Sequence, residues 1–60
     1  MQNNEELRSF IQALLNDMKT NSTKAKGHHP HTEIDVVISM SLDYAQSYIK
    51  EFARINNIDI

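Results

Sequence analysis

The sequence predicts an all-α protein, an antiparallel two-helix hairpin that forms a single domain over residues 1–60. Two segments, 4–19 and 33–56, carry apolar side chains at the spacing of a one-sided helix. Between them lie the one glycine and the one proline of the chain, Gly27 and Pro30, which mark a single turn. Because so short a chain buries little surface, pairing of two hairpins into a four-helix bundle would cover more of it.

The first helix is predicted to begin with Asn3 or Asn4 as its N-cap, and the two glutamates that follow suit the positive end of a helix. Its apolar side comprises Leu7, Phe10, Ile11, Leu14, Leu15 and Met18. Residues 20–31 are predicted to form a flexible loop. Asn, Ser and Thr compete there for backbone hydrogen bonds, and proline disfavours helical angles in the residue before it.

The second helix is predicted to start after Thr32, with Asp35 placed to complete a capping box. Its apolar face comprises Ile34, Val37, Ile38, Ser41, Leu42, Ala45, Tyr48, Ile49, Phe52 and Ile55. We expect the centre of this face to pack against the first helix; that centre is Ile34, Ser41, Ala45 and Phe52.

Two other structures fit part of the second segment. Ile34, Val36, Ile38 and Met40 alternate as they would in a strand, which would have to pair with another chain. A break near Ser41, which can cap a helix, would instead give a helix-turn-helix. The apolar face passes through Ser41 without a change of phase, which favours one continuous helix.

Asp43 is predicted to point away from the first helix. At about 100° per residue, it lies opposite the centre of the apolar face. Two apolar residues with no packing role, Val36 and Met40, lie near it. Exposed apolar side chains beside polar ones are typical of a docking surface, here for a partner or a second copy. The predicted partner-binding residues are Val36, Ser39, Met40, Ser47 and Lys50.

Composition narrows the classes of function. The net charge is −2, with six Lys and Arg against eight Asp and Glu, so no basic face for nucleic acid is evident and no nucleic-acid partner is predicted. No apolar run approaches the length that spans a membrane, so no membrane partner is predicted. The N-terminus is polar and acidic and does not resemble a signal peptide. We therefore predict a cytoplasmic protein.

Three histidines, His28, His29 and His31, lie together in the predicted loop. Imidazoles at this spacing can bind Zn²⁺, Ni²⁺ or Cu²⁺. There is no cysteine to accompany them, and no preorganised fourth ligand is visible. We therefore predict a solvated loop and assign no metal site.

Two short patterns, one in each helix, match a known family. The matching positions are Ile11, Leu14, Met18, Ser39, Leu42 and Asp43. With Gly27 in the loop, they make the chain resemble the small stage-zero sporulation regulators (type E) of spore-forming bacilli. The chain departs from the family pattern at Leu15, and it has Met40 and Ser41 where the family has Gln and Glu.

This resemblance implies a two-helix aspartyl-phosphate phosphatase of the phosphorelay. Its partner would be the phosphorylated response regulator that commits the cell to sporulation, so the chain would be a negative regulator. The resemblance implies no cofactor of its own, because the regulator supplies Mg²⁺ and a lysine. Asp43 is then the candidate catalytic residue, which orients the attacking water or takes its proton, and Leu42 packs.

Two alternatives stay open. A binding-only protein would cover the phosphorylated face of the regulator without releasing phosphate. A small helix-turn-helix DNA-binding protein is the other alternative, and the acidic charge balance argues against it.

Overall fold

The computed structural model describes residues 4–60, which form two helices, α1 (Asn4–Lys26) and α2 (Glu33–Ile55). The helices pack against each other in an elongated body of 48 × 17 × 14 Å. The predicted helical hairpin is confirmed. Over the described residues there is no strand, and α2 runs unbroken through Ser41, so the strand and the helix-turn-helix alternatives are wrong.

The first helix is longer than predicted, because α1 continues past Lys19 to Lys26. Ser22 and Ala25 are buried against α2, and this packing outweighs the weak helix propensity of Asn, Ser and Thr. The loop is therefore shorter than predicted. At its start the Gly27 amide still donates to the Thr23 carbonyl at 3.1 Å. Of the two predicted N-cap residues, Asn3 lies outside the described residues and Asn4 is helical.

The start of α2 is fixed by the predicted capping box. The Thr32 hydroxyl accepts a hydrogen bond from the Asp35 amide at 3.4 Å, and the Thr32 amide donates to Asp35 Oδ2 at 2.9 Å. Each side chain thus satisfies a backbone amide that the first turn leaves without a partner. This cap fixes where α2 leaves the loop.

The end of α2 is a Schellman motif. Asn57 adopts a left-handed conformation with φ of 56°, which Asn tolerates better than most residues. The Ile58 amide then donates to the Ala53 carbonyl at 2.8 Å, and the Asn57 amide donates to the Arg54 carbonyl at 3.2 Å. The helix therefore ends at Ile55, one residue before the predicted Asn56.

The contact between the helices, here called the seam, is built mainly from small side chains. Its buried members are Ile11, Ser22, Ala25, Asp35, Ser39 and Ala53. The predicted centre of the α2 contact face is wrong, because Ile34 is 69% exposed, and Phe52 and Ser41 are exposed as well. The observed contact face is rotated by about 100° around the helix axis from the predicted one, which is the angle between successive residues. Small residues allow the two backbones to approach closely, which the larger apolar residues would prevent.

The large apolar residues of α2 form an exposed surface, here called the apolar stripe. It comprises Ile34, Val37, Ile38, Tyr48, Phe52 and Ile55, with the smaller Ser41 and Ala45 between them. Helix α1 covers only its border, where Leu42, Ala45 and Ile49 are partly buried. Within residues 4–60, neither helix has a stretch both long enough and apolar enough to cross a membrane.

Candidate functional site

Asp43 joins the two helices at the rim of the seam. Its Oδ1 accepts a hydrogen bond from the Ser22 hydroxyl at 2.7 Å, and its Oδ2 pairs with the Lys26 ammonium at 2.9 Å. The prediction that Asp43 points away from α1 is therefore wrong. Asp43 does lie opposite the apolar stripe, but the seam is offset from that stripe, so α1 comes within reach of the carboxylate.

The Asp43 carboxylate is nevertheless accessible. Its side chain is 47% exposed, and the paired Lys26 side chain is 57% exposed. The hydrogen bond from Ser22, followed by the one from Lys26, holds the pKa of Asp43 below its ordinary value. The group is therefore an anion at neutral pH, with an adjacent cation that offsets its charge.

Gln46 lies one turn along α2 from Asp43. Its amide nitrogen donates to the Leu42 carbonyl at 3.2 Å and makes a longer contact, 3.4 Å, with Asp43 Oδ1. Its side-chain oxygen is an acceptor, so Gln46 adds a second polar group beside the carboxylate. Ser22, Lys26, Asp43 and Gln46 together are here called the Asp43 cluster.

Four of the predicted partner-binding residues lie on the surface: Val36, Met40, Ser47 and Lys50. An open recess in the surface is lined by Met40, Asp43, Tyr44 and Ser47. The recess brings exposed apolar side chains next to the carboxylate, which suits it to contact another protein.

Ser39 was also predicted to bind a partner, and that prediction is wrong because Ser39 is 6% exposed. Its hydroxyl donates to the Val36 carbonyl at 3.1 Å, and its own carbonyl accepts from the Ser22 hydroxyl at 3.4 Å. Ser39 lies in the middle of the seam, where a small side chain lets α1 come close. Its contribution to the site is structural.

The sequence analysis missed Ser22 and Lys26, because both were assigned to the loop. A signal for them was present. No glycine or proline lies between Lys19 and Lys26, and Ser22 and Ala25 continue the helical phase of Ile11 and Met18. Extending that phase would have placed Ser22 and Lys26 on α1.

The remaining residues that carry the family pattern lie at or near the seam. Ile11 is 4% exposed, while Leu14, Met18 and Leu42 are partly buried. Their positions fit a packing role that holds the hairpin together.

The histidine loop carries a polar contact. His28 Nδ1 lies 3.0 Å from Asp35 Oδ1, while His29 and His31 are exposed. The backbone amide of Thr32 is the main cause of the lowered pKa of Asp35, and His28 adds to it. Among residues 4–60, no three His, Cys, Asp or Glu side chains come close enough together to hold a metal ion.

In comparisons with known proteins, no family model, no curated protein and no solved structure matches this chain. Its function is therefore inferred from its own residues.

Proposed function

We propose that this chain is a cytoplasmic aspartyl-phosphate phosphatase that dephosphorylates a response regulator of sporulation and so restrains spore formation. The family resemblance at Leu42 and Asp43 supports the choice of substrate. The observation that carries the proposal is the half-exposed Asp43 carboxylate, paired with Lys26 and lining a recess together with the exposed side chains of Met40 and Tyr44.

The reaction requires few catalytic groups from the phosphatase itself. An aspartyl phosphate is an acyl phosphate with a good leaving group, so the requirement is a water held in line with the departing carboxylate. A carboxylate accepts hydrogen bonds at about four lone-pair sites. Ser22, Lys26 and the longer contact from Gln46 account for three of these, so one site remains at which Asp43 can orient a water or take its proton.

Lys26 makes the approach of Asp43 to a phosphoryl group less costly. Two anions repel each other, and a paired cation lowers that repulsion. The regulator would supply Mg²⁺ and a lysine for the charge on the phosphoryl oxygens, as the family resemblance implies. Gln46 is a second group that can position the water. Val36, Met40, Ser47 and Lys50 would contact the regulator around the site.

The proposal is tested by phosphate release from a phosphorylated response regulator. We expect Asp43→Asn to lower the rate by about 10²–10⁴-fold, the contribution typical of a general base. The matched control is Asp17→Asn, which makes the same change at an exposed position of α1 outside the Asp43 cluster. Its rate should equal that of the wild type. An Asp43→Asn rate equal to that of the control would remove Asp43 from the mechanism.

Because Asp43 also joins the helices, a structural effect has to be separated from a chemical one. Ser22→Ala removes the hydrogen bond to Asp43 but leaves the carboxylate in place. We expect this variant to keep most of the phosphate release while circular dichroism shows a lower unfolding midpoint. Equal loss of release in Ser22→Ala and Asp43→Asn would assign Asp43 a structural role.

One observation favours binding without catalysis as a second candidate function. Both Asp43 oxygens already have partners within the hairpin, which would suit a residue that only shapes the surface. Such a chain would cover the phosphorylated face of the regulator. It would form a complex in a titration, with the lifetime of the phosphate unchanged or lengthened.

A further inference from the structure

We propose that a recess between the two helices, here called the lysine recess, binds an acidic segment of a partner protein. The recess is open to solvent and has a volume of about 270 Å³. Polar side chains of both helices line it, and they are Gln12, Asn16, Lys19, Gln46 and Lys50. Leu15 and Ile60 complete its wall and add apolar surface.

The two lysines of the recess are exposed cations without an acidic partner. Among residues 4–60, neither Lys19 nor Lys50 takes part in an ion pair, whereas Lys26 is paired with Asp43. Like charges that line one recess repel each other, and a carboxylate placed between them relieves this repulsion. Each ammonium group offers three hydrogen-bond donors and no acceptor. The ligand that these two groups favour is therefore an anion.

The carboxamides of the recess suit a carboxylate ligand. Gln12 and Asn16 are exposed on α1, and each carries an amide nitrogen with two hydrogen-bond donors. A carboxylate that pairs with a lysine through a charge-assisted hydrogen bond still has free lone-pair sites, which these amides can satisfy. Leu15 offers an apolar contact next to them. We therefore expect the bound segment to carry acidic side chains beside an apolar one.

The charge of the whole chain favours an acidic protein segment over a nucleic acid. The net charge is −2, so a long polyanion such as a nucleic acid is repelled by the chain as a whole. A short acidic segment extends over a smaller distance, within which screening by salt leaves the two nearby lysines as the main influence. Nucleic-acid binding also depends on many phosphate contacts, and the recess supplies two cations.

The lysine recess adjoins the Asp43 cluster on the same side of the hairpin. Gln46 belongs to both. Lys50 follows Asp43 by seven residues, and Lys19 precedes Lys26 by seven, which is nearly two helical turns, or about 10 Å along each axis. Because the chain reverses between the helices, both displacements run in the same direction. We therefore assign the acidic segment to the response regulator that Asp43 would reach, an assignment that rests on the proposed function.

The recess is tested first with a synthetic probe, the blocked peptide Glu-Glu-Leu-Glu-Glu at millimolar concentration. Amide chemical shifts of the isotopically labelled full chain report where it binds. We expect the largest shifts at the recess residues, with Lys19 and Lys50 among them, and much smaller ones at Lys24. The matched probe Gln-Gln-Leu-Gln-Gln lacks the charges and should shift these amides little. Equal shifts with both peptides, or shifts spread evenly over all lysines, would overturn the site.

The assignment to the regulator is tested by calorimetric titration with a phosphorylated response regulator. Lys50→Met removes one charge and keeps an apolar stem of similar length, and we expect it to raise the dissociation constant about threefold. Lys19→Met/Lys50→Met removes both charges and should raise it about tenfold. The matched control is Lys24→Met, an exposed lysine of α1 outside both the recess and the Asp43 cluster. Its dissociation constant should equal that of the wild type.

Each contrary result has its own meaning. Equal dissociation constants for Lys19→Met/Lys50→Met and Lys24→Met would overturn the assignment to the regulator, because the two lysines would then act through their stems alone. An RNA hexanucleotide that shifts the recess amides more than the acidic peptide does would assign the recess to nucleic acid. Phosphate release plays no part in either titration. A chain that binds the regulator through the recess and releases no phosphate would contradict the phosphatase alone.

Discussion

The seam and the apolar stripe are two faces of the same helix, and they differ in both composition and burial. The seam of α2 contains Asp35, Ser39 and Ala53, all buried, whereas the stripe contains large residues such as Ile34 and Tyr48 that are exposed. The more hydrophobic face is thus the one that α1 leaves open. Close approach of two helices depends on small side chains, and large apolar residues remain for another partner.

Truncation of Ile11, the one large side chain buried in the seam among residues 4–60, should have the largest effect. Ile11→Ala removes a 4%-exposed side chain from a thin interior and should destabilise the hairpin by about 2–5 kcal/mol. The helical signal in circular dichroism would then be lost early in a urea titration. Val36→Ala, an exposed truncation outside both faces, is the control and should change the midpoint little. Equal effects of the two changes would mean that the seam is not the structural core.

A matched pair of serine substitutions compares the two faces directly. Ser39→Leu forces a large side chain into the seam and should destabilise the hairpin by about 1–3 kcal/mol. Ser41→Leu makes the same change two residues later, on the stripe, and should cost the dilute hairpin less than about 0.5 kcal/mol. Urea midpoints of the two variants decide the comparison. A larger loss for Ser41→Leu would reverse the assignment of the faces.

Removal of the N-cap should weaken α2 as a whole, and with it both faces. Thr32→Ala deletes the hydroxyl that accepts from the Asp35 amide, at a cost of about 1 kcal/mol. Thr23→Ala, an exposed threonine within α1, is the control. The thermal midpoint of Thr32→Ala should fall below that of Thr23→Ala. Coinciding midpoints would show that the capping box contributes nothing.

Acid should weaken the seam by a smaller amount. The pKa values of Asp35 and Asp43 are both lowered in the folded hairpin, so the unfolded chain binds protons more readily. Their contribution is present above the ordinary aspartate pKa of about 3.9 and is lost as the pH falls below it. Urea midpoints at neutral pH and near pH 3 should differ less in Asp43→Asn than in the wild type. An undiminished difference would mean that Asp43 takes no part in the acid response.

Most of the fold could be predicted from local features of the sequence. Gly27 and Pro30 marked the turn, and Thr32 with Asp35 marked the start of α2, because these residues act through their own backbone neighbours. The end of α1 does not follow from the propensities of Asn, Ser and Thr, and only the helical phase of Ser22 and Ala25 indicated it. Packing of Ser22 and Ala25 against a distant helix, rather than local propensity, extends α1 to Lys26.

The direction of Asp43 could not be predicted for a related reason. The spacing of apolar residues identified the most hydrophobic face of α2 correctly, and we assumed that α1 covers it. The seam lies about 100° away, because shape rather than hydrophobicity decides which surfaces come closest. Ser22 and Lys26 reach Asp43 only because of that offset. The exposure of Met40 was less sensitive to it, since that residue lies on the outer side in either case.

The hydrogen bond between Ser22 and Asp43 affects how the hairpin would respond to a molecule that binds at Asp43. Helix surfaces made of small side chains slide along each other easily. This bond therefore helps to set the axial position of α1 relative to α2. A bound molecule that recruits the Asp43 carboxylate competes with Ser22 and Lys26 for it. Binding there and axial alignment of the helices are then thermodynamically linked, each altering the free energy of the other.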